Sequence, residues 1–206
     1  IRISLTVGIL STLISLAISI PIGAFAGYFA GKTDVIVSRL LEVWEGMPMF
    51  FMLLLVVAIT QSKSIFLIIL VLGLFGWTSF SRFIRGEFFK ERKLPYVEAG
   101  QVFGFSNLYL MFRHILPNIV GPLVVAETLA IPSYISTEAF LSFIGLGVNP
   151  PTPSWGAMIS DGAQVVRTYP NQAIFPALAL AITMFAFNFL GDGLRDALDP
   201  RLRGMQ

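Results

Sequence analysis

Residues 82–117 read RFIRGEFFKERKLPYVEAGQVFGFSNLYLMFRHILP, a charged and polar segment between two strongly apolar parts of the chain. The first half mixes basic and acidic side chains, and the second half contains Glu98-Ala99-Gly100 followed four residues later by Gly104. The segment closes with His114-Ile115-Leu116-Pro117. A membrane protein that keeps so many charges between spans exposes them to water, where they can contact a soluble partner. We therefore expect residues 82–117 to form a docking loop.

The composition excludes an ordinary soluble domain. Hydrophobic residues make up 55% of the 206 residues and charged residues only 13%, where a soluble domain carries about 25% charged residues. With no cysteine and one histidine, the chain has no disulfide framework and no Cys/His metal site. A net charge of +2 is too small to indicate nucleic-acid binding. The composition predicts an integral membrane protein without a metal site.

Long apolar runs predict an all-α, polytopic helix bundle. A membrane span needs roughly 20 apolar residues, and the sequence offers five runs of about this length. We predict spans at residues 3–31, 40–60, 65–81, 118–144 and 171–190. The proline- and glycine-rich stretch 145–170 is too polar to span and is predicted as an external loop, with Trp155 and Tyr169 as membrane-surface anchors.

The basic residues predict the orientation of the spans. If the 82–117 loop is cytoplasmic, eleven basic residues lie on the same side and three on the other. This bias matches the positive-inside rule and predicts an external N-terminus and a cytoplasmic C-terminus. We also expect a further span before Ile1. The three external basic residues are Arg2, Lys63 and Arg167.

The first predicted span carries glycines at every fourth position: Gly23, Gly27 and Gly31. In a helix these residues form one stripe that lets a neighbouring backbone approach closely. We interpret the stripe as a packing face against another span or a partner subunit. The alternative, that these glycines merely loosen a helix end, stays open.

Two acidic residues, Glu127 and Glu138, lie inside the fourth predicted span. They are about three turns apart and share a helix face. A charge near the midplane costs at least about 2.5 kcal/mol, so Glu127 is expected to face a cavity or a partner. It either lines a translocation path or is a paired or protonated structural acid. Glu138, near the external edge, is also a candidate for the translocation path, but a structural role is favoured there because water is close.

The second half of the docking loop predicts two short helices around a glycine. Leu94 to Phe103 can form the first helix, with Pro95 in its first turn. Gly104 suits a left-handed helix end, and Ser106 can cap a second helix at residues 107–116. Glu98 is expected to point outward toward a basic partner. An ordinary solvated loop between two spans fits the residues equally well.

A resemblance to known proteins favours the docking loop over an ordinary solvated loop. Glu98-Ala99, Gly104 and Leu116-Pro117 stand at the spacing of the EAA loop of ABC importer permeases, which the loop resembles. In that family the EAA loop grips the ATPase subunits. The sequence departs from the family pattern at Gly100, where a second alanine is usual, and at His114, where isoleucine is frequent. The resemblance therefore implies ATPase docking through Glu98, Ala99, Gly100, Gly104, Leu116 and Pro117.

Two further motifs narrow the resemblance. They are FLSFIGLG at 140–147 with PPTPSWG at 150–156, and GDGLRDALDPR at 191–201. Together with the EAA-like loop they resemble the second, C-type permease subunit of dipeptide, oligopeptide and nickel ABC importers. The resemblance covers essentially the whole chain as one transmembrane domain, residues 1–206. It implies the type I importer fold, with five spans present of six, in the cytoplasmic (inner) membrane.

The resemblance also implies the partners and the chemistry. Such permeases pair with a second permease in a heterodimer, two ATPases and an external binding protein. The chain itself is then no enzyme and holds no cofactor, because the partner ATPases bind ATP and Mg²⁺. Within the family, a nickel importer is the alternative to a peptide importer.

Three other functions fit the sequence less well. An ion-coupled transporter or channel would use Glu127 as its coupling site and would need no soluble motor. An intramembrane hydrolase lacks a nucleophile–base pair around the single histidine. Residues 26–33, AGYFAGKT, satisfy a relaxed phosphate-loop pattern, but they follow an apolar span instead of a strand.

Overall fold

The computed structural model describes residues 2–61, 64–148 and 152–198. All regular structure within these ranges is helical. A π-helical turn, Leu110–Ile115, joins α6 to α7 without interruption. The helices are α1 (Arg2–Phe29), α2 (Gly31–Glu45), α3 (Met49–Thr60), α4 (Ile65–Glu91), α5 (Pro95–Val102), α6 (Asn107–Tyr109), α7 (Leu116–Phe143), α8 (Trp155–Gln164) and α9 (Asn171–Leu198).

Four helices in the described ranges are long and apolar enough to cross a membrane: α1, α4, α9 and the continuous helix Asn107–Phe143. The span predicted at residues 40–60 is broken into two helices and begins earlier in the chain than predicted. Two helices occupy this region, and α2 and α3 are bent by 69° relative to each other. Pro48 is extended and precedes α3, because proline cannot donate the next helical hydrogen bond. With the bent pair as one crossing, the described chain has five spans.

The packing register gives the directions of the helices. Ser11 Oγ donates a hydrogen bond to the carbonyl of Ile69 at 3.2 Å, and further along both helices Gly23 lies against the carbonyl of Ser81. Helices α1 and α4 therefore run parallel. For α1 and α4 to cross the membrane in the same direction, the chain between them must cross back. The bent pair of α2 and α3 lies between them and can make this crossing.

Glycine allows α1 and α4 to pack closely. A Cβ at Gly23 would lie 2.6 Å from the Ser81 carbonyl oxygen, and one at Gly27 would lie 2.6 Å from the Phe88 Cβ. Both contacts are shorter than van der Waals distance, so a larger residue cannot fit without moving a helix. Gly31 departs from the predicted stripe: it begins α2 with φ +52°, and a Cβ there would meet no atom within 4 Å. The chain turns at Gly31 before it could pack against α4.

Two bidentate ion pairs fasten α2 to the polar end of α4. Arg85 donates to both carboxylate oxygens of Asp34. Arg82 donates to both oxygens of Glu45, at 2.9 and 2.6 Å. Paired arginine and carboxylate groups of this geometry fix orientation as well as distance. The charged end of α4, which extends ten residues beyond the predicted span, is therefore also the support for α2.

The second half of the chain packs α8 between α7 and α9. A Cβ at Gly156 would overlap the backbone of Ala139, and one at Gly162 would lie 2.5 Å from the backbone of Ala173. Ser154 begins α8 by accepting a hydrogen bond from the Ala157 amide. Trp155 is only 2% exposed and belongs to this packing, so its prediction as a membrane-surface anchor is wrong. Residues 149–151 and the tail from residue 199, which hold parts of two motifs, lie outside the described residues.

Candidate partner-docking site

Helix α5 begins and ends where the local sequence signals predict. Pro95 occupies its first turn, where no backbone donor is needed. At the other end, Gly104 has φ +81°, and the Phe105 amide donates to the Gly100 carbonyl at 3.0 Å. This is the Schellman arrangement, which satisfies the last helix carbonyls through a left-handed residue. The Ser106 hydroxyl then accepts from the Tyr109 amide and begins α6.

The second helix of the docking loop differs from the prediction. It does not end at residue 116, because α6, the π-helical turn and α7 form one continuous helix. Leu110, Met111 and Ile115 of the turn are buried. Their wider helical turn keeps these three side chains in the core while the chain passes from the loop into the span. The second half of the docking loop is therefore a rigid extension of α7.

The inner side of α5 explains the unusual glycine. Val97 is fully buried, and Gly100 is buried beside it. A Cβ at Gly100 would lie 2.6 Å from Leu110 Cδ2, so alanine there would require the Leu110 side chain to shift. Gly100 thus faces the chain's own core, and not a partner as the family pattern implied. Leu116 also packs partly buried against this core, whereas Pro117 is exposed in the first turn of α7.

The outer side of α5 forms what we call the docking face: Glu98, Ala99, Val102, Phe103 and Gly104. Val102 is 85% exposed and Phe103 is 79% exposed, at the end of a helix that lies outside the predicted spans. Adjacent exposed apolar residues, one of them aromatic, are typical of a protein–protein contact. The sequence prediction missed Val102 and Phe103. Their signal was the helical spacing, since Val102 lies one turn after Glu98.

Aromatic and acidic contacts hold the docking loop from inside. The His114 ring stacks on Phe105 with centroids 6.0 Å apart and meets the edge of Tyr109 at 5.2 Å. The Tyr96 hydroxyl donates to Glu91 at 2.5 Å. Burial and the hydrogen bond to Glu91 raise the pKa of Tyr96 to about 12, so the hydroxyl keeps its proton at neutral pH. The ring contacts of His114 thus belong to the internal packing of the docking loop.

The two intramembrane acids lie on the buried side of α7. Glu127 is 6% exposed, and its carboxylate oxygens have no hydrogen-bond partner within the described ranges. It lines a pocket of about 230 Å³ with α1 residues that include Thr12 and Leu16. Glu138 is fully buried and accepts a hydrogen bond from Ser142 Oγ at 2.7 Å. The expectation that water is close to Glu138 is therefore wrong.

Neither metal nor nucleotide chemistry is indicated. The described part of the chain holds no group of three His, Cys, Asp or Glu residues that could bind a metal ion. The phosphate-loop pattern at residues 26–33 falls on the end of α1, a corner at Ala30 and the start of α2. A helix–corner–helix does not supply the strand and glycine-rich loop that cradle phosphates.

Comparison with known proteins decides the family. The family model described as "Binding-protein-dependent transport system inner membrane component" matches residues 19–204, most of the chain. The chain belongs to this family. It is therefore a multi-pass membrane protein of a transport system, and the predicted resemblance to importer permeases is confirmed.

Similar proteins of known name point the same way. The chain is 45% identical over 203 residues to the oligopeptide transport system permease protein of Haemophilus influenzae, and 44% identical to that of Escherichia coli K12. It is 38% identical to the dipeptide transport system permease protein of Bacillus subtilis. Each alignment covers 98% of this chain and 65%, 67% and 63% of the relative, respectively. The chain thus spans about two thirds of their length.

Solved structures confirm the fold. A chain of the MetNI methionine ABC transporter, in an inward-facing conformation, superposes with a TM-score of 0.76 at 17% sequence identity. The match covers 96% of this chain and 94% of that one. An amino acid ABC transporter matches with a TM-score of 0.63. The all-α importer transmembrane fold is therefore confirmed.

Proposed function

We propose that this chain is the membrane-spanning permease subunit of an ATP-driven importer of dipeptides or oligopeptides. Its membership of the binding-protein-dependent family supports the transport role. Relatives named as oligopeptide and dipeptide permeases support a peptide substrate over nickel. The proposed partners are a second permease, two ATPases and an external binding protein. The partner ATPases bind ATP and Mg²⁺, and this chain does no covalent chemistry.

The docking face is the observation that carries the proposal. Val102 and Phe103 are strongly exposed beside Glu98, on a short helix held by buried Val97 and Leu110. An apolar surface with an acidic edge complements a cleft that has an apolar floor and a basic rim. An ATPase that binds the docking face can move the membrane helices, because the docking loop continues into α7 without a break.

The charge distribution supports a cytoplasmic position for the docking face. Most basic residues of the chain lie in or near the docking loop, at the same end as the corner between α1 and α2. By the positive-inside rule this end is cytoplasmic. The C-terminus then also lies in the cytoplasm, and α8 lies on the external side, where a binding protein delivers substrate.

The proposed mechanism is alternating access. ATP binding closes the two ATPases and displaces the two docking loops that they hold. Because α6 and α7 are one helix and α1 is packed against α4 at Gly23 and Gly27, the displacement rotates spans as rigid bodies. A path shared with the second permease opens first outward, toward the binding protein, and then inward.

Glu127 carries the rival function, an ion-coupled transporter, because it is a buried acid without a hydrogen-bond partner in the described chain. We expect Glu127→Gln to retain at least about half of the ATP-driven uptake, since neutral glutamine keeps the shape at little electrostatic cost. The measurement is uptake of a labelled dipeptide or tripeptide by proteoliposomes that hold the complete complex. ATP is supplied on the side of the membrane where the ATPases lie. Ser142→Ala, which removes the hydrogen bond to Glu138, is the matched control.

Two outcomes would contradict the proposed function. The first is uptake that proceeds without ATP, follows an ion gradient and disappears in Glu127→Gln; this result would establish the ion-coupled rival. The second is ATP-driven uptake of Ni²⁺ with no uptake of peptide. This result would support the ATP-driven mechanism and contradict the peptide substrate.

A further inference from the structure

Tyr28 joins three parts of the docking loop to the end of α1. It is the second-last residue of α1, and its ring is 6% exposed among side chains of the core, including Phe88, Val97 and Leu110. Its hydroxyl and its backbone carbonyl each bind a different part of the chain. No sequence motif indicated this residue, since its polar partners lie 64 to 79 positions away.

The hydroxyl of Tyr28 contacts both halves of the docking loop. It donates to Asn107 Oδ1 at 3.0 Å and accepts from Gln101 Nε2 at 3.4 Å. Asn107 begins the helix that continues into α7, whereas Gln101 belongs to α5. One oxygen atom, with a donor and an acceptor role both used, therefore connects α1 to the two helices on either side of Gly104.

The carbonyl of Tyr28 is held from a third direction. It is one of the last carbonyls of α1, which have no partner inside the helix. Arg92, which follows α4, donates to it from Nη1 at 2.6 Å. A guanidinium at a helix C-terminus is favourable for both the hydrogen bond and the helix dipole. The end of α1 is thus fixed to the end of α4 as well as to the docking loop.

We propose that Tyr28 is the positioning residue that transmits movement of the docking loop to α1. This inference rests on the proposed function. It names the residue that connects the docking loop to the membrane spans. Displacement of the loop pulls α1 through the Tyr28 hydroxyl, while the Gly27 contact and Arg92 keep α1 and α4 together as one body. Because α1 forms one wall of the Glu127 pocket, its movement changes the interior of the span bundle.

Tyr28→Phe tests the inference, because it removes the hydroxyl and keeps the ring in the core. The variant is studied in the complete importer complex in proteoliposomes, with peptide imported and ATP hydrolysed measured together. Peptide imported per ATP is expected to fall about threefold to tenfold, because the variant loses the bond to Asn107 and the longer bond from Gln101. Complex assembly should remain near wild type, since the docking face is unchanged.

Tyr96→Phe is the matched control, because it also removes a tyrosine hydroxyl from the docking loop. That hydroxyl interacts with Glu91 at the end of α4 and with Asn118 of α7, and neither interaction reaches α1. The ratio of peptide to ATP should therefore stay within about twofold of wild type. A merely structural role for Tyr28 would lower complex yield or the thermal midpoint and leave this ratio unchanged, and that result would overturn the inference.

A double-mutant cycle with Asn107→Ala provides the second test. Asn107→Ala should also lower the ratio, and the double variant should lower it no further than Tyr28→Phe alone, because Tyr28→Phe already removes the bond to Asn107. Losses that multiply would show two independent effects and overturn the inference. If the wild-type complex imports no peptide with ATP, the proposed function has failed; normal wild-type transport with an unchanged ratio in both variants refutes only the role of Tyr28.

Discussion

A subunit that carries Phe103→Asp is expected to lose its ATPase partner while it keeps its own fold. Phe103 is 79% exposed at the end of α5, so a charge there costs the isolated subunit little. In a complex the ring would be desolvated in the partner's cleft, where loss of one aromatic anchor costs about 2–4 kcal/mol. Binding should weaken by about 30-fold or more, as measured by co-purification and by titration of the ATPase.

A matched pair of valines separates docking from general charge effects. Val102→Asp changes the docking face, where Val102 is 85% exposed, and Val166→Asp makes the same change beyond α8, where Val166 is 44% exposed. Only Val102→Asp should weaken ATPase binding. Equal binding of the ATPase by Phe103→Asp, Val102→Asp and wild type would contradict the assignment of this face.

Gly27→Leu should have the largest effect on stability. A Cβ at this position already lies 2.6 Å from the Phe88 Cβ and still closer to the Arg85 carbonyl. Because a backbone atom is involved, the clash cannot be relieved by one side-chain rotation, and α1 must move away from α4. Overpacking costs about 1–3 kcal/mol, and occasionally more, and a backbone clash places Gly27→Leu toward the upper end. The thermal unfolding midpoint of the purified subunit in detergent should fall by several degrees, or the protein should aggregate.

Gly86→Leu is the control for this substitution. Gly86 lies on α4 within one turn of the same contact, but a Cβ there would meet no atom within 4 Å. Leucine also favours the helix more than glycine does, by up to about 1 kcal/mol. The midpoint should therefore stay the same or rise. Similar midpoints for Gly27→Leu and wild type would show that α1 and α4 do not pack as described.

Features of the docking loop that depend on neighbouring residues were predictable from the sequence. Pro95 at a helix start, Gly104 at a left-handed helix end and Ser106 as a cap act within a few positions along the chain. Apolar run length likewise predicted the number of spans, because the bilayer fixes a minimum helix length. These signals need no knowledge of tertiary contacts.

Features that depend on distant contacts were not predictable. The close contact at Gly100 comes from Leu110, which lies beyond Gly104 in the chain. The hydrogen bond from Tyr28 to Asn107 joins residues 79 positions apart. The 69° bend between α2 and α3 is accompanied by ion pairs that join α2 to distant residues of α4. Gly31 had the spacing of a packing glycine, yet the turn after Phe29 removed it from the interface.

Disulfide trapping at Ala99 tests the central claim most directly. The chain has no cysteine, and Ala99 lies exposed on the docking face, so Ala99→Cys introduces one small reporter. The complete complex, with a second cysteine in the ATPase cleft, is oxidised with and without ATP, and Val166→Cys serves as the control. The account predicts a crosslink only from Ala99→Cys, with a yield that changes with ATP. Failure of every exposed position between residues 98 and 103 to crosslink, in a complex that still imports peptide, would contradict it.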